Sequence, residues 1–522
     1  MATVETILTL LVLTTALAFL ARKVNVPYPI VLVVAGMGLA FVPSLPSVTL
    51  DPQLVFLLFL PPILYAAAYF TSWRDFRTNL FSITLLAVGL VIATTTAVAA
   101  AVHALVPGIA WPVALVLGAI VSPPDAVAAT AIAQRLHLPR QIVTILEGES
   151  LVNDATGLVL LKFATVAVVT GSFSIASGVV EFAALVAGGI AVGLAMGFLF
   201  VWVQRFLDEP ILATTASILV SFLVYIVAER LHVSGVLAVV VAGLLQGRYV
   251  PHIWSSAARL EGTAVWQTLV FLLNALVFVL IGLQLPAILD GLDRPWPTVV
   301  DGVFAAFWAM VIVRLAWMFP GAYLPRYLSE SFRKTHPYPP WQAVTIVGWA
   351  GMRGVVSLAA ALSLPFTLAD GSPFPARNFL VFLTFAVILG SLLIQGLTLP
   401  PLIRWLRVAE DRTAEREERH ARLKLAEAAI DHLDGKMDAG ELHAHQVHPV
   451  RQEYMQRVRA LKGLEGAPAT GLTTIGTTKA LRREALDVQR NQLLKLRSEE
   501  VIGDDVLNRI QYELDLEELG LR

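Results

Sequence analysis

The sequence predicts an all-α protein that crosses a membrane many times. Of its 522 residues, 57% are hydrophobic and only 15% are charged, and the mean hydropathy is +0.71. A soluble protein of this length needs more polar surface than that. Long apolar runs, separated by short connections rich in charges and turn residues, lead to the same conclusion.

Turn residues and charges divide the apolar part of the chain into thirteen predicted spans, the first of which is retained in the protein. The ninth is the shortest of the set. The spans are 6–21, 26–42, 54–69, 81–105, 111–134, 141–170, 178–206, 211–228, 233–246, 264–285, 299–319, 341–364 and 378–403.

The basic residues predict the orientation, since Lys and Arg accumulate on the cytoplasmic side of a membrane. The odd-numbered connections and the start of the tail hold 14 of them, whereas the even-numbered connections hold 3. We therefore expect a plasma-membrane protein with its N-terminus outside and its tail in the cytoplasm. Inside the spans, Lys162 and Arg314 are close enough to an end to extend to the surface, but Arg353 is not.

Two spans are predicted to be broken. Residues 121–125 read Val-Ser-Pro-Pro-Asp, where two prolines remove helical donors, and residues 348–354 contain three glycines. The breaks lie seven spans apart, which predicts two inverted six-helix repeats, and paired broken helices of this kind indicate a transporter site. Ordinary kinks at Pro and Gly are the alternative.

Segment 142–162 carries acids deep inside the sixth span, where charges are costly and usually functional. On a helix Ser150 and Asp154 share one face, and Glu149 and Asn153 share a neighbouring face. The first face predicts an ion site and the second predicts its support.

Oxygen atoms from this face and from the first break predict a binding site for a small alkali cation or a proton. The ligands we expect are the side chains of Asp154, Asp125 and Ser150, with freed carbonyls near Ser122 and Pro124. Burial of a carboxylate beside another acid favours exchange of a proton for a metal ion.

Three further residues are expected to support the site. Arg353 needs a buried partner, and Glu149 is the natural one, so the two predict a structural ion pair between the sixth and twelfth spans. Asn153 supplies an amide where a second acid would add charge. In the alternative interpretation these polar groups only hold the helices together.

Five motifs resemble the successive signatures of the sodium/proton exchanger branch of the monovalent cation:proton antiporters. They lie at 58–64 (Leu-Phe-Leu-Pro-Pro-Ile-Leu), 122–129, 147–156, 234–238 and 351–357. The resemblance covers the whole membrane part. It implies thirteen spans, a dimer formed through a scaffold domain, and a core domain with two crossed broken helices that moves like an elevator.

The resemblance also implies roles for individual residues. It places the exchanged ion at Asp154, with Asn153 beside it and Ser150 and Asp125 nearby, and it implies the pairing of Glu149 with Arg353. In one respect the sequence differs from the family pattern. Many members have Thr-Asp-Pro or Val-Asp-Pro at the first break, but here Pro124 precedes Asp125 and Ala126 follows it, so no hydroxyl is available just before Asp125.

These observations together predict a secondary antiporter that exchanges sodium, or another alkali cation, for protons. Because Asn153 replaces a second acid, we expect electroneutral exchange. A potassium/proton antiporter of the same fold is the alternative. We expect no enzyme activity, no cofactor and no nucleic-acid partner.

Other classes of protein fit less well. For an intramembrane hydrolase, Val152 stands where Gly-x-Ser-x-Gly needs its last glycine. A cation channel would share the acids, and a sensor would use the tail as its output.

The polar C-terminal part forms a separate region. We expect a transmembrane domain at 1–405 and a helical cytoplasmic tail at 406–522, with helices at 415–433, 479–497 and 504–516. The tail is where we expect a regulator to bind.

Overall fold

The computed structural model shows a protein built of α-helices. It describes residues 2–24, 26–42, 51–136, 138–171, 175–368, 371–408, 413–439 and 444–463, and a few single positions beyond 463. Within these ranges, extended pairing is limited to one isolated bridge between Thr367 and Pro373. The predicted all-α class is confirmed.

Seventeen helices organise the described chain, apart from the short helices Trp73–Thr78, Leu285–Asp290 and Glu330–Thr335. They are α1 (Ala2–Val24), α2 (Tyr28–Leu39), α3 (Pro52–Phe70), α4 (Leu80–Leu105), α5 (Trp111–Val121), α6 (Ala126–Arg135), α7 (Arg140–Thr170), α8 (Ile175–Gln204), α9 (Pro210–Arg230), α10 (Gly235–Ile253), α11 (Ser256–Leu283), α12 (Trp296–Leu328), α13 (Trp341–Trp349), α14 (Val355–Leu362), α15 (Arg377–Leu406), α16 (Thr413–Asp438) and α17 (Ala444–Gly463).

The helices fall at the thirteen predicted spans. In the described ranges, ten are long and apolar enough to cross a membrane, with α5 and α6 counted as one. The others are the shorter apolar helices α1 and α2 and the interrupted pair α13 and α14. The protein is thus a multi-pass membrane protein, and the count of thirteen crossings stays a prediction.

The most extensive helix contacts link the membrane helices into two groups, which share one hydrophobic cluster that includes residues of α2, α5 and α11. In the core group, which comprises α4–α7 and α12–α15, α4 packs against α5 and α12, α5 against α7, and α12 against α13 and α15. In the scaffold group, which comprises α1–α3 and α8–α11, α2 packs against α11, and α10 packs against α3, α8 and α9.

Both predicted interruptions are present. α5 ends at Val121 and α6 begins at Ala126, because Pro123 and Pro124 have no N–H with which to continue the helix. α13 ends at Trp349 and α14 begins at Val355. The breaks are in contact, since the Asp125 N–H donates to the Met352 carbonyl at 2.7 Å. The inverted relation of the two repeats stays a prediction.

The chain divides into two compact units, Met1–Glu410 and Asp411–Arg522. In the second unit, α16 and α17 pack through Ala426, Ile430 and Val458. Arg451 donates two hydrogen bonds to Asp434, and these bonds hold the pKa of that carboxyl below its ordinary value.

The predicted helix at 415–433 lies within α16. The helices predicted at 479–497 and 504–516 lie outside the described residues, apart from single positions. Assignment of the two units to transport and to regulation stays a prediction.

Candidate functional site

Asp154 lies at the middle of α7 and is the centre of the candidate site. Its side chain is only 7% exposed, and it lines a cavity of about 560 Å³. Among the residues that the structure describes, no side chain or backbone donor bonds to it. A buried carboxylate needs a compensating partner, so the position favours a bound cation or a proton.

Three acids line the cavity, which is otherwise mostly apolar in the part of the chain that the structure describes. Asp125, Glu147 and Asp154 reach it, together with Ser150 and several neutral polar groups, and no Lys, Arg or His is among the described residues that line it. Glu147, Ser150 and Asp154 follow one another at i, i+3 and i+7 on α7, which places them on one helix face. An electronegative cavity of this kind concentrates cations.

Asp125 joins the two breaks. Its Oδ1 accepts a hydrogen bond from Val127 N at 2.8 Å and so caps the start of α6. Its Oδ2 lies against Gly354, where the Cβ of any other residue would overlap it. The carboxylate is therefore next to the N-terminal ends of α6 and α14, whose partial positive charges stabilise an anion.

Ser150 and Asn153 tie α7 to the first break. Ser150 Oγ accepts a hydrogen bond from Ala126 N at 3.3 Å. Asn153 is fully buried and donates from Nδ2 to the Pro124 carbonyl at 2.8 Å. The predicted amide donor thus has its acceptor on a carbonyl that the break leaves free. Asn153 Oδ1 is buried and has no partner in the described part of the chain.

Ser122 faces away from the cavity. Its hydroxyl donates to the Ala119 carbonyl at 3.2 Å and accepts from the Thr95 hydroxyl at 3.1 Å, so it contacts α4. Neither Ser122 nor Pro124 is among the residues that line the cavity, whereas Pro123 is. The structure thus brings Asp154, Asp125 and Ser150 to one cavity, and it places Asn153 and Pro124 behind it.

The predicted ion pair between Glu149 and Arg353 is wrong. Glu149, 1% exposed, is bound by Arg314 through Nη1 to Oε1 at 2.6 Å and Nη2 to Oε2 at 2.8 Å. The bidentate match of guanidinium and carboxylate fills both oxygen atoms. Arg314 was also expected to extend to the surface, but it is 2% exposed.

Arg314 is the partner of Glu149 that sequence reasoning missed. It also donates to the Gly348 and Val347 carbonyls at 3.1 Å each, at the last turn of α13. The sequence contained a signal for this role. Like Arg353, Arg314 is a base inside an apolar span, where a charge needs a buried partner, but its closeness to the end of the span predicts access to the surface instead.

Arg353 bonds to backbone instead of to an acid. Its Nε donates to the Val121 carbonyl at 2.6 Å and its Nη1 to the Gly351 carbonyl at 2.9 Å. Val121 is the last residue of α5, so the guanidinium lies at the negative end of that half-helix. Arg353 is 1% exposed, and its position explains how its charge is tolerated.

Residues 7–405 match the family model described as sodium/hydrogen exchanger, transmembrane. The chain belongs to this family. The predicted resemblance is confirmed, and the family is one of cation/proton antiporters rather than enzymes.

Similar proteins agree with this membership. An uncharacterized Na(+)/H(+) exchanger of Mycobacterium tuberculosis is 36% identical over 510 residues, covering 96% of this chain and 93% of that protein. A sodium, potassium, lithium and rubidium/H(+) antiporter of Bacillus pumilus is 35% identical over 421 residues, covering 78% of this chain and 62% of that protein.

The fold has a solved counterpart. The sodium proton antiporter MjNhaP1 of Methanocaldococcus jannaschii aligns with a TM-score of 0.60 at 19% identity, covering 78% of this chain and 99% of that chain. This exchanger thus has an antiporter fold.

Proposed function

We propose that this exchanger moves sodium in one direction and protons in the other, with Asp154 as the carrier of both. The observation that carries the proposal is the buried, unpartnered Asp154 carboxylate at the cavity. A charge held in this position without a partner is costly. A cation and a proton are then alternative ways to neutralise it, and competition between them couples the two gradients.

The decisive test is Asp154→Asn in proteoliposomes with a pH-sensitive dye. The amide keeps the size of the side chain but binds neither a proton nor a cation, so sodium-driven proton movement should fall to the background of empty vesicles. Asp301→Asn, at an exposed position of α12, removes the same charge and should retain exchange. Exchange near the wild-type rate in Asp154→Asn would refute the assignment.

We further propose that exchange is electroneutral, one cation for one proton. Asn153 donates to the Pro124 carbonyl and adds no titrating group. Asp125 caps α6 and keeps a constant charge. Only Asp154 then changes state in the cycle, and each half-cycle carries the same charge.

The membrane potential tests this stoichiometry. It contributes about 2.3 kcal/mol per elementary charge per 100 mV, so one uncompensated charge would visibly shift the balance point. The membrane potential of the vesicles is clamped with potassium and valinomycin, once at zero and once at a large negative value. We expect net proton movement to stop at the same sodium gradient in both cases. A sodium gradient at balance that changes with the membrane potential would show that a second group titrates during the cycle. Asp125 would be the first candidate for that group.

An elevator movement of the core group against the scaffold group is supported by the way the helices pack. Asp125, Asp154 and Ser150 all lie in the core group, whereas Gln267 and Asn274 of α11 line the opposite side of the cavity.

We propose that the protein is a plasma-membrane homodimer joined through the scaffold group, with the N-terminus outside and the tail in the cytoplasm.

The absence of native cysteines makes this movement easy to follow. Thr130→Cys lines the cavity without belonging to the proposed ion site. We expect a membrane-impermeant thiol reagent to label it from the cytoplasmic side, and a sodium gradient to change the labelling rate. A labelling rate that the sodium gradient leaves unchanged would contradict the proposed movement.

A potassium/proton antiporter is the second candidate. The Bacillus pumilus relative is named for sodium, potassium, lithium and rubidium, which favours a site that accepts several alkali cations. Addition of each cation in turn to the same proteoliposomes measures the order of preference. A response to potassium that exceeds the response to sodium would favour potassium/proton antiport over sodium/proton antiport.

A further inference from the structure

Glu147 is an acid in the cavity that the proposed exchange cycle does not use. It lies on the same face of α7 as Ser150 and Asp154, seven residues before Asp154, which places it about 10 Å closer to the Arg140 end of the helix. Its side chain is partly buried, and among the described residues no donor or base is bonded to it.

A second cavity adjoins the one that Glu147 lines. The cavity with Glu147 and Asp154 shares Tyr28, Gln134 and Phe271 with a second cavity of about 850 Å³. Arg135 and Arg404 line that second cavity, and no Asp or Glu is among its described lining residues. A cation that passes from the second cavity into the first therefore meets carboxylates only in the first, where Glu147 and Asp125 line the cavity besides Asp154.

Asp154, buried at the same cavity, is the proposed cation site at which a path from the second cavity would end. Such a path leads away from basic side chains and toward the α7 face that carries Glu147 and Asp154. A carboxylate part of the way along this path attracts the ion without holding it as tightly as a closed site would.

We propose that Glu147 is a capture residue, whose unpaired carboxylate raises the local concentration of alkali cation ahead of binding at Asp154. The proposal rests on the proposed exchange function. A unit charge about 10 Å from Asp154 changes the local cation concentration there by roughly twofold to tenfold, for effective dielectric constants from about 80 down to about 25. Glu147 is thus a positioning residue that acts on encounter and leaves turnover unchanged.

Glu147→Gln tests the inference in proteoliposomes. We expect the KM for sodium to rise about twofold to tenfold while kcat stays within about twofold, since only the encounter step loses attraction. The difference from wild type should shrink as ionic strength is raised with choline chloride, because salt screens the charge. Glu147→Asp should restore the wild-type KM. Glu261→Gln, on the exposed start of α11, is the matched control and should change neither constant.

A gain of function separates capture from a structural role. Gln134 lines both cavities, so Gln134→Glu puts an acid where the two cavities meet. In the Glu147→Gln background this second change should lower the KM for sodium again. An unchanged KM in Glu147→Gln, a loss of kcat alone, or a KM difference insensitive to salt would overturn the inference. If wild type shows no exchange, or Asp154→Asn retains it, the proposed function fails instead.

Discussion

The two breaks in the membrane helices are built from different residues and have different effects on the backbone around them. The first contains Pro123 and Pro124 and presents the acid Asp125, whereas the second contains Gly351 and Gly354 and presents the base Arg353. Prolines remove donors and leave carbonyls unsatisfied. Glycines remove side chains and let another chain approach closely. The first break thus creates groups that need partners, and the second leaves room for those partners.

The partnership runs in both directions. Arg353 of the second break donates to Val121 at the end of α5, and Asp125 of the first break caps α6 and rests on Gly354. Each half-helix end then meets a charge of the opposite sign. The comparison teaches that the ion site belongs to the contact between the breaks.

Among changes at the two breaks, the largest effect on exchange is expected at Gly354, where a side chain would take up the space of Asp125. Gly354→Ala adds a Cβ that would overlap Asp125 Oδ2, so the carboxylate must move. Because a misplacement of about 1 Å can cost 100-fold in rate, exchange should fall by about that factor. Initial rates of sodium-driven proton movement measure it.

Gly38→Ala is the control, since nothing lies within 4 Å of a Cβ at that position. It should exchange at the wild-type rate. Wild-type exchange in Gly354→Ala would mean that the second break does not have to leave room for Asp125.

The second prediction concerns the ion pair behind the breaks. Glu149→Ala leaves Arg314 buried without its partner and should lower the free energy of unfolding by about 3 to 5 kcal/mol. Changing both residues should cost less than the sum of the single changes. Chemical unfolding of the purified protein in detergent gives the three values.

A parallel cycle between Glu149 and Arg353 sharpens this result. We expect the Glu149 and Arg314 changes to couple by about 1 to 3 kcal/mol, and the Glu149 and Arg353 changes to couple less. A larger coupling energy between Glu149 and Arg353 than between Glu149 and Arg314 would favour the ion pair that the sequence predicts.

The third prediction tests the planar guanidinium at the first break. Arg353→Lys keeps the charge but loses the forked donors, so the protein should lose about 1.5 to 3 kcal/mol of unfolding free energy, together with part of its exchange rate. Arg377→Lys is the comparison, because Arg377 also donates to two carbonyls, of Leu362 and Leu364, away from the breaks. It should lower stability and leave exchange unchanged. Equal losses of exchange in both variants would contradict a special role for the break.

The smallest effect is expected at Ser122. Ser122→Ala loses a hydrogen bond to Thr95 and should cost about 1 kcal/mol of unfolding free energy, while the KM for sodium stays at the wild-type value. A KM raised severalfold would show that the hydroxyl takes part in ion binding, in addition to the backbone carbonyl that the sequence predicts there. Thr95→Val is the matched variant, and it should reproduce the loss of stability.

The sequence was sufficient for features that depend on local pattern. Apolar length located the helices, Pro-Pro and the glycines located the breaks, and helical spacing placed Ser150 and Asp154 on one face. These inferences need only the geometry of a single helix.

Contacts between distant helices could not be predicted in the same way. Arg314 and Arg353 are both bases within apolar spans, and sequence spacing does not tell which one reaches Glu149. The choice depends on the rotation of α12 about its axis and on the backbone path of the break between α13 and α14, and packing decides both. Ser122 likewise points to α4 because α4 supplies Thr95 beside it.

The bond between Arg353 and Val121 has a consequence for biosynthesis. Its partners are separated by 232 residues, and a ribosome adds about 5 to 20 residues per second. Arg353 is therefore synthesised roughly 10 to 50 s after Val121. Throughout this interval the Val121 carbonyl is exposed inside a newly inserted helix. The insertion machinery, trapped water or a folding factor must shelter the nascent half until the last spans arrive.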